Sequence, residues 1–176
     1  MRGVFFFIII LIGAVVAAVV YYFGYESRNI GHTFRPNIAN MEYTIEGRRV
    51  QFRDGVASHV IAGSSLVAKT ILVEPTLYTD LNNNGSEDAV VILADQPGGS
   101  GTFYYFGAVT TREGTTFVSS LKSLGDRIQV QSLTRADDVI ELKYLQRATN
   151  EPFSTDPSIE TIRRFRWNGS ALIEIR

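Results

Sequence analysis

From Met41 onward, apolar and polar residues alternate along the chain. Tyr43 and Ile45 interleave with Glu42, Thr44 and Glu46, Gly47 turns the chain, and Val50 and Phe52 alternate again before Asp54-Gly55. That pattern predicts a β-hairpin. Leu66–Val73 reads as a β-branched strand ending near Pro75, where the backbone donor is lost. Ala89–Ala94 (AVVILA) is a continuous apolar run and predicts a strand buried on both faces. Phe103–Thr111 and Thr115–Leu121 follow as strands around the turn at Glu113-Gly114. Arg127–Thr134 alternates with Ile128 and Val130 on one face. In Val139–Leu145, Ile140, Leu142 and Tyr144 point inward and Glu141 and Lys143 outward, and Asp137-Asp138 makes the turn between these two strands. Ser154–Thr161 is expected to form one short turn of helix.

The last hairpin admits two registers. A two-residue loop at Asn168-Gly169 pairs Arg166 with Ala171 and Arg164 with Ile173, mixing charge with the core face. A three-residue loop keeps Phe165, Ala171 and Ile173 on one face and Arg164, Leu172 and Glu174 on the other. The pattern therefore predicts the odd loop, with a bulge at Gly169. About nine strands joined by short turns predict a mainly β domain. It is antiparallel and sandwich-like, and an open curved sheet fits equally. There is no internal repeat of the length that builds a propeller.

The N-terminal pattern is different in kind. Val4–Phe23 runs without a charge (VFFFIIILIGAVVAAVVYYF). A helix of about 20 residues crosses the hydrocarbon core of a bilayer. Tyr21, Tyr22 and Tyr25 stand at one end, where amphipathic rings favour the interface, and Arg2 at the other. A cleaved signal peptide is the rival reading, but bulky Tyr and Phe follow Ala17-Ala18 where a small-residue cleavage site is needed. The chain thus divides into a short tail (1–3), a transmembrane helix (4–23), a juxtamembrane linker (24–40) and a β domain (41–176). A very short tail suits a signal-anchor, with the domain outside the cytoplasm at the cell membrane.

Composition sharpens this division. The 176-residue chain is 45% hydrophobic, and the excess sits at the N-terminus, where 21 of the first 25 residues are apolar. A net charge of −1 gives no electrostatic footprint for nucleic acid. With no cysteine, disulfides, thiol catalysis and a lipidated anchor are excluded.

One constellation carries chemistry. Asp80, Asn82, Asn84, Gly85 and Asp88 match the start of a calcium loop, in which alternate oxygens converge on one hard cation. The carbonyl of Ser86 would be the backbone ligand. Position twelve is Val91, not a bidentate Glu, so binding would need millimolar calcium and a structural role follows. A metal-free Asn/Gly turn explains the same residues. The blocks Asp80–Gly85, Asp88–Leu93, Gly98–Tyr105 and Leu124–Arg127 stand in one order. Together they resemble a family of uncharacterised bacterial exported proteins and lipoproteins, with blocks D-L-N-G-D-G-x-x-D-A, G-G-S-G-T-F-Y and L-G-D-R. The resemblance covers roughly Asp54 to Leu145. It implies an extracytoplasmic β-rich domain tethered to a membrane and brings no activity. Asn84 stands where the family has Asp, and a transmembrane segment replaces the lipidated cysteine.

The remaining motifs are weaker. Gly98–Gly101 lacks the Lys of a phosphate loop. Ser119–Lys122 fits S-x-x-K without its companion boxes. His32 and His59 have no Cys or His partner in the sequence pattern. Asp126-Arg127 reads as an ion pair fixing a turn, and Arg163, Arg164 and Arg166 as a solvated face with Glu174 as partner. The function expected is a non-catalytic domain binding an envelope protein or polymer. A structural subunit of an envelope assembly is the first alternative, and a hydrolase using Asp80, Glu87 and Asp88 the second.

Overall fold

The computed structural model describes residues 34–176, which form one packed unit, Phe34–Arg176. The expected transmembrane helix, the tail before it and residues 24–33 of the linker lie outside the described residues. Among the described residues, no helix is long and apolar enough to cross a membrane.

Among the described residues, twelve strands replace the expected nine. In chain order they are β1 (Glu42–Ile45), β2 (Arg48–Gln51), β3 (Val56–Val60), β4 (Val67–Thr79), β5 (Asp88–Gln96) and β6 (Phe103–Arg112). Then come β7 (Thr115–Val118), β8 (Lys122–Asp126), β9 (Gln129–Ala136), β10 (Val139–Gln146), β11 (Ile159–Trp167) and β12 (Leu172–Ile175). All pairings are antiparallel. They form three layers. A six-stranded sheet, β3-β4-β5-β6-β7 with β8 also on β6, lies between a four-stranded sheet, β12-β11-β10-β9, and the β1-β2 hairpin. The architecture is a sandwich with a third, small layer, which the alternation alone left open.

β5 explains the layering. Every residue from Asp88 to Asp95 is buried. Val90 and Ile92 face Leu133, Ile140, Leu142, Phe165 and Leu172 of the four-stranded sheet. Ala89, Val91 and Leu93 face Tyr43, Ile45, Val50 and Phe52 of the hairpin. A strand without alternation therefore serves two cores, as expected for one covered on both sides. Ile38 joins the hairpin-side core and its carbonyl accepts a 2.8 Å bond from Tyr43 Oη. The packed unit accordingly takes in Phe34–Asn40, the last part of the expected linker.

Four expectations change. β4 does not stop at Pro75 but runs through it to Thr79. Its register with β5 slips between Val73 and Leu77, so Pro75 sits in a bulge where no ladder donor is required. The Thr115–Leu121 strand ends at Val118, and the chain re-enters the sheet as β8, pairing further along β6. Ser154–Thr161 is no helix: Phe153 and Ser154 form a turn and Ile159 already begins β11.

The final hairpin also differs. Trp167 pairs with Leu172 and Arg166 with Ile173, so Gly169-Ser170 is the two-residue link. Leu172 is buried and Ile173 exposed, the reverse of the expected faces. The Asn168 side chain decides this: its Oδ1 accepts from the backbone N–H of Ser170 and Ala171 and from Ser170 Oγ, closing the turn one residue later than an Asn-Gly loop would.

Candidate functional site

The Asp80–Asp88 loop joins β4 to β5 at the end of the six-stranded sheet. Gly85, with φ +84°, takes the sharp bend in a backbone region that side chains resist. The bend turns backbone N–H groups inward. Asp80 Oδ1 and Asn82 Oδ1 both accept from the Asn84 N–H at 3.1 Å, and Asp80 Oδ2 accepts from the Gly85 N–H at 2.8 Å. Asn84 Oδ1 accepts from the Ser86 N–H at 2.9 Å. The Nδ2 groups of Asn82 and Asn84 both donate to the Thr111 carbonyl on β6. The loop is thus tied to itself and to the neighbouring strand.

Asp88 is the anchor. It is 0% exposed, and its two oxygens accept from the Thr111 N–H at 2.7 Å and the Leu81 N–H at 2.9 Å. Burial pushes its carboxyl above the ordinary carboxylate range. The Thr111 and Leu81 N–H groups pull it back, and the charge of Asp80 raises it further. From the four-stranded sheet, Arg135 donates to Thr79 Oγ1 and, at 2.7 Å, to the Asp80 carbonyl. Glu87 instead meets Arg35 at 2.7 Å, and that guanidinium lies 3.9 Å over the Tyr78 ring.

The structure therefore brings Asp80, Asn82 and Asn84 into one hydrogen-bonded loop, with Ser86 at its exit and Asp88 at its base. Asp80, Asn82 and Asn84 supply the oxygens that would hold a calcium ion, and each carboxylate or amide oxygen keeps a lone pair beyond the bond it accepts. Among the described residues no three His, Cys, Asp or Glu side chains gather in a metal-holding group. A cation here would rest on Asp80 with amide and carbonyl oxygens, a donor set of low charge. Thr111, Leu81 and Arg135 belong to this site although the motif did not point to them. Their contributions come through backbone groups and a distant strand, which leave no local pattern.

The other motif blocks interlock in a similar way. The Thr102 N–H donates to Asp126 Oδ1 at 2.8 Å and the Arg127 N–H to the Thr102 carbonyl at 2.7 Å. Arg127 pairs with Asp126 at 2.8 Å and reaches the Ser100 carbonyl. The glycine-rich turn and the Leu124–Arg127 block are thus two halves of one corner. Ser119 Oγ accepts from the Ala108 N–H at 2.9 Å, a backbone role. The arginine stripe is charge-matched: Arg163 with Glu174, Arg164 with Glu141 and Arg166 with Asp138. Glu174 thus meets Arg163 rather than Arg164, a consequence of the altered hairpin register. His59 lies exposed on β3. Comparison with known proteins returns no match: no family model fits the chain, and neither a curated protein nor a solved structure is significantly similar to it.

Proposed function

We propose that this chain is a non-catalytic β domain, held outside the cytoplasm by the Val4–Phe23 segment, that binds an envelope protein or polymer. Its Asp80–Asp88 loop is stiffened by calcium at extracellular concentrations. One observation supports the non-catalytic reading above others. The acids that a hydrolase would use are committed to scaffolding: Asp80 and Asp88 to backbone N–H groups, Glu87 to Arg35. A carboxylate fixed between two buried donors orders a loop and is poorly placed to exchange protons with a substrate.

Calcium is tested by thermal melting of the full chain in EDTA and in 10 mM calcium. With a dissociation constant of about 1 mM, mass action adds about 1.4 kcal/mol at that concentration. The expected rise is a few degrees, and Asp80→Asn should remove it. Superimposed curves would sink the calcium reading and leave the binding-domain reading standing.

A further inference from the structure

At the tip of the β1-β2 hairpin a second constellation is built, apart from the Asp80 loop. Asp95 and Phe103 face each other across β5 and β6, and Leu93 faces Tyr105 two residues on, so Asp95, Phe103 and Tyr105 share the sheet face that the hairpin partly covers. The hairpin tip brings Ile45, Glu46 and Arg48 over that ledge. Between them lies a concavity of about 250 Å³, lined by these six residues and Pro97.

Its polar groups are fixed in place. Arg48 Nη2 donates to Asp95 Oδ2 at 2.7 Å, and Thr70 Oγ1 donates to Asp95 Oδ1 at 2.6 Å. Asp95 itself is 4% exposed. A buried carboxylate is costly to desolvate and adds little net stability even when paired, so its clearest effect here is to hold one guanidinium in one orientation. Tyr105 Oη donates to Glu46 Oε1 at 2.9 Å, which locks the opposite wall. Arg48 keeps unspent N–H donors, while Glu46 Oε2 and the Tyr105 oxygen keep acceptor capacity. Phe103, 37% exposed, and Pro97 supply apolar surface beside them.

We propose that this concavity binds one neutral sugar ring of a saccharide chain. A hydroxyl is both donor and acceptor, so adjacent hydroxyls satisfy Arg48 and Glu46 together without bringing charge. Glu46 and Asp95 against Arg48 leave the site one negative charge, which repels carboxylate and phosphate ligands. The C–H face of a pyranose suits the Phe103 ring. The volume falls below the ~300–1,000 Å³ of pockets for drug-sized ligands and holds one ring, with the rest of the chain outside. This names a ligand class for the binding domain proposed above and rests on that reading.

The test uses the full chain in a non-glycosidic detergent, with cellohexaose as the neutral probe and hexagalacturonate as its anionic counterpart. Saturation-transfer NMR and calorimetry read binding. Cellohexaose is expected to bind saturably, and hexagalacturonate about tenfold more weakly or not at all. Phe103→Ala and Glu46→Asn should each weaken cellohexaose about tenfold while the melting temperature stays near that of the parent. Asn suits the turn because Glu46 has φ 48°, a region Asn tolerates. Absence of cellohexaose binding, binding unchanged in both variants, or tighter binding of the uronate would each overturn the proposal. Mass spectrometry of the recovered sugar separates the two readings: cleaved products would overturn the non-catalytic reading, whereas intact, unbound sugar overturns only the ligand class.

Discussion

Asp88 shows how much one side chain can hold. Its two oxygens serve N–H groups from different segments, one at the start of the loop and one on β6. Asp88→Asn keeps the shape but offers one acceptor and turns an amide N–H toward a backbone N–H. Leaving a buried donor unpaired costs about 1–3 kcal/mol. The variant is expected to melt several degrees lower. The pH dependence has a definite sign. Because the folded carboxyl titrates above its ordinary value of 3.8, the folded chain holds this proton at pH values where the unfolded chain has lost it. As pH falls toward 4, the parent therefore gains stability from this group and Asp88→Asn does not, so the gap in melting temperature should widen. A gap that is constant or shrinks would contradict the assignment. The sequence marked Asp88 as a ligand candidate from spacing alone. Its role as a backbone anchor depends on β6 passing beside it, and Thr111 lies too far along the chain for any motif to register.

Among the elements, the legible parts are those decided locally. The turns at Glu46-Gly47, Glu113-Gly114 and Asp137-Asp138 stand where short-range signals placed them, each with a positive φ at its first residue. The alternation in β10 put Ile140, Leu142 and Tyr144 inward, and all three are buried. β9 breaks the same rule at an invisible point: its register with β10 slips beyond Val130, so Leu133 turns inward three residues later rather than two or four. The final hairpin failed for a related reason, since a single Asn side chain outvoted the apolar pattern. Gly107 is the most exacting position in β6. A Cβ there would lie 2.5 Å from Leu121 Cδ2 and 3.2 Å from Ser119 Oγ, the oxygen that receives the Ala108 N–H. Gly107→Ala should destabilise by about 1–3 kcal/mol in chemical denaturation, through overpacking and displacement of that bond. An unchanged midpoint would mean that the segment joining β7 to β8 adapts freely.

At the scale of the whole molecule, the sandwich was only half visible because layer count is a property of which faces meet. The uninterrupted run in β5 announced two covered faces, yet nothing local said that one cover would be a four-stranded sheet and the other a single hairpin. Ile38 packs against the hairpin side, which places the start of the compact unit earlier than the change of pattern at Met41. The proposed anchor belongs to this scale too. The full chain should stay with membranes through an alkaline wash, and intact mass should retain residues 4–23. Mature protein beginning after Ala18 would replace the anchor with a cleaved leader.

The hairpin layer also has a mechanical consequence. It is the first strand pair after Phe34, and its open end lies where Glu42 meets Gln51 and the Phe52 N–H meets the Met41 carbonyl. Tension arriving along the chain from the residues before Phe34 reaches that end only after the Arg35–Glu87 pair and the buried Ile38 have given way. An antiparallel ladder drawn apart there yields rung by rung, each bond loaded alone, whereas strands slid past one another must break many bonds at once. Those two contacts therefore act as a clamp, shielding from the preceding chain a ladder that would otherwise part bond by bond.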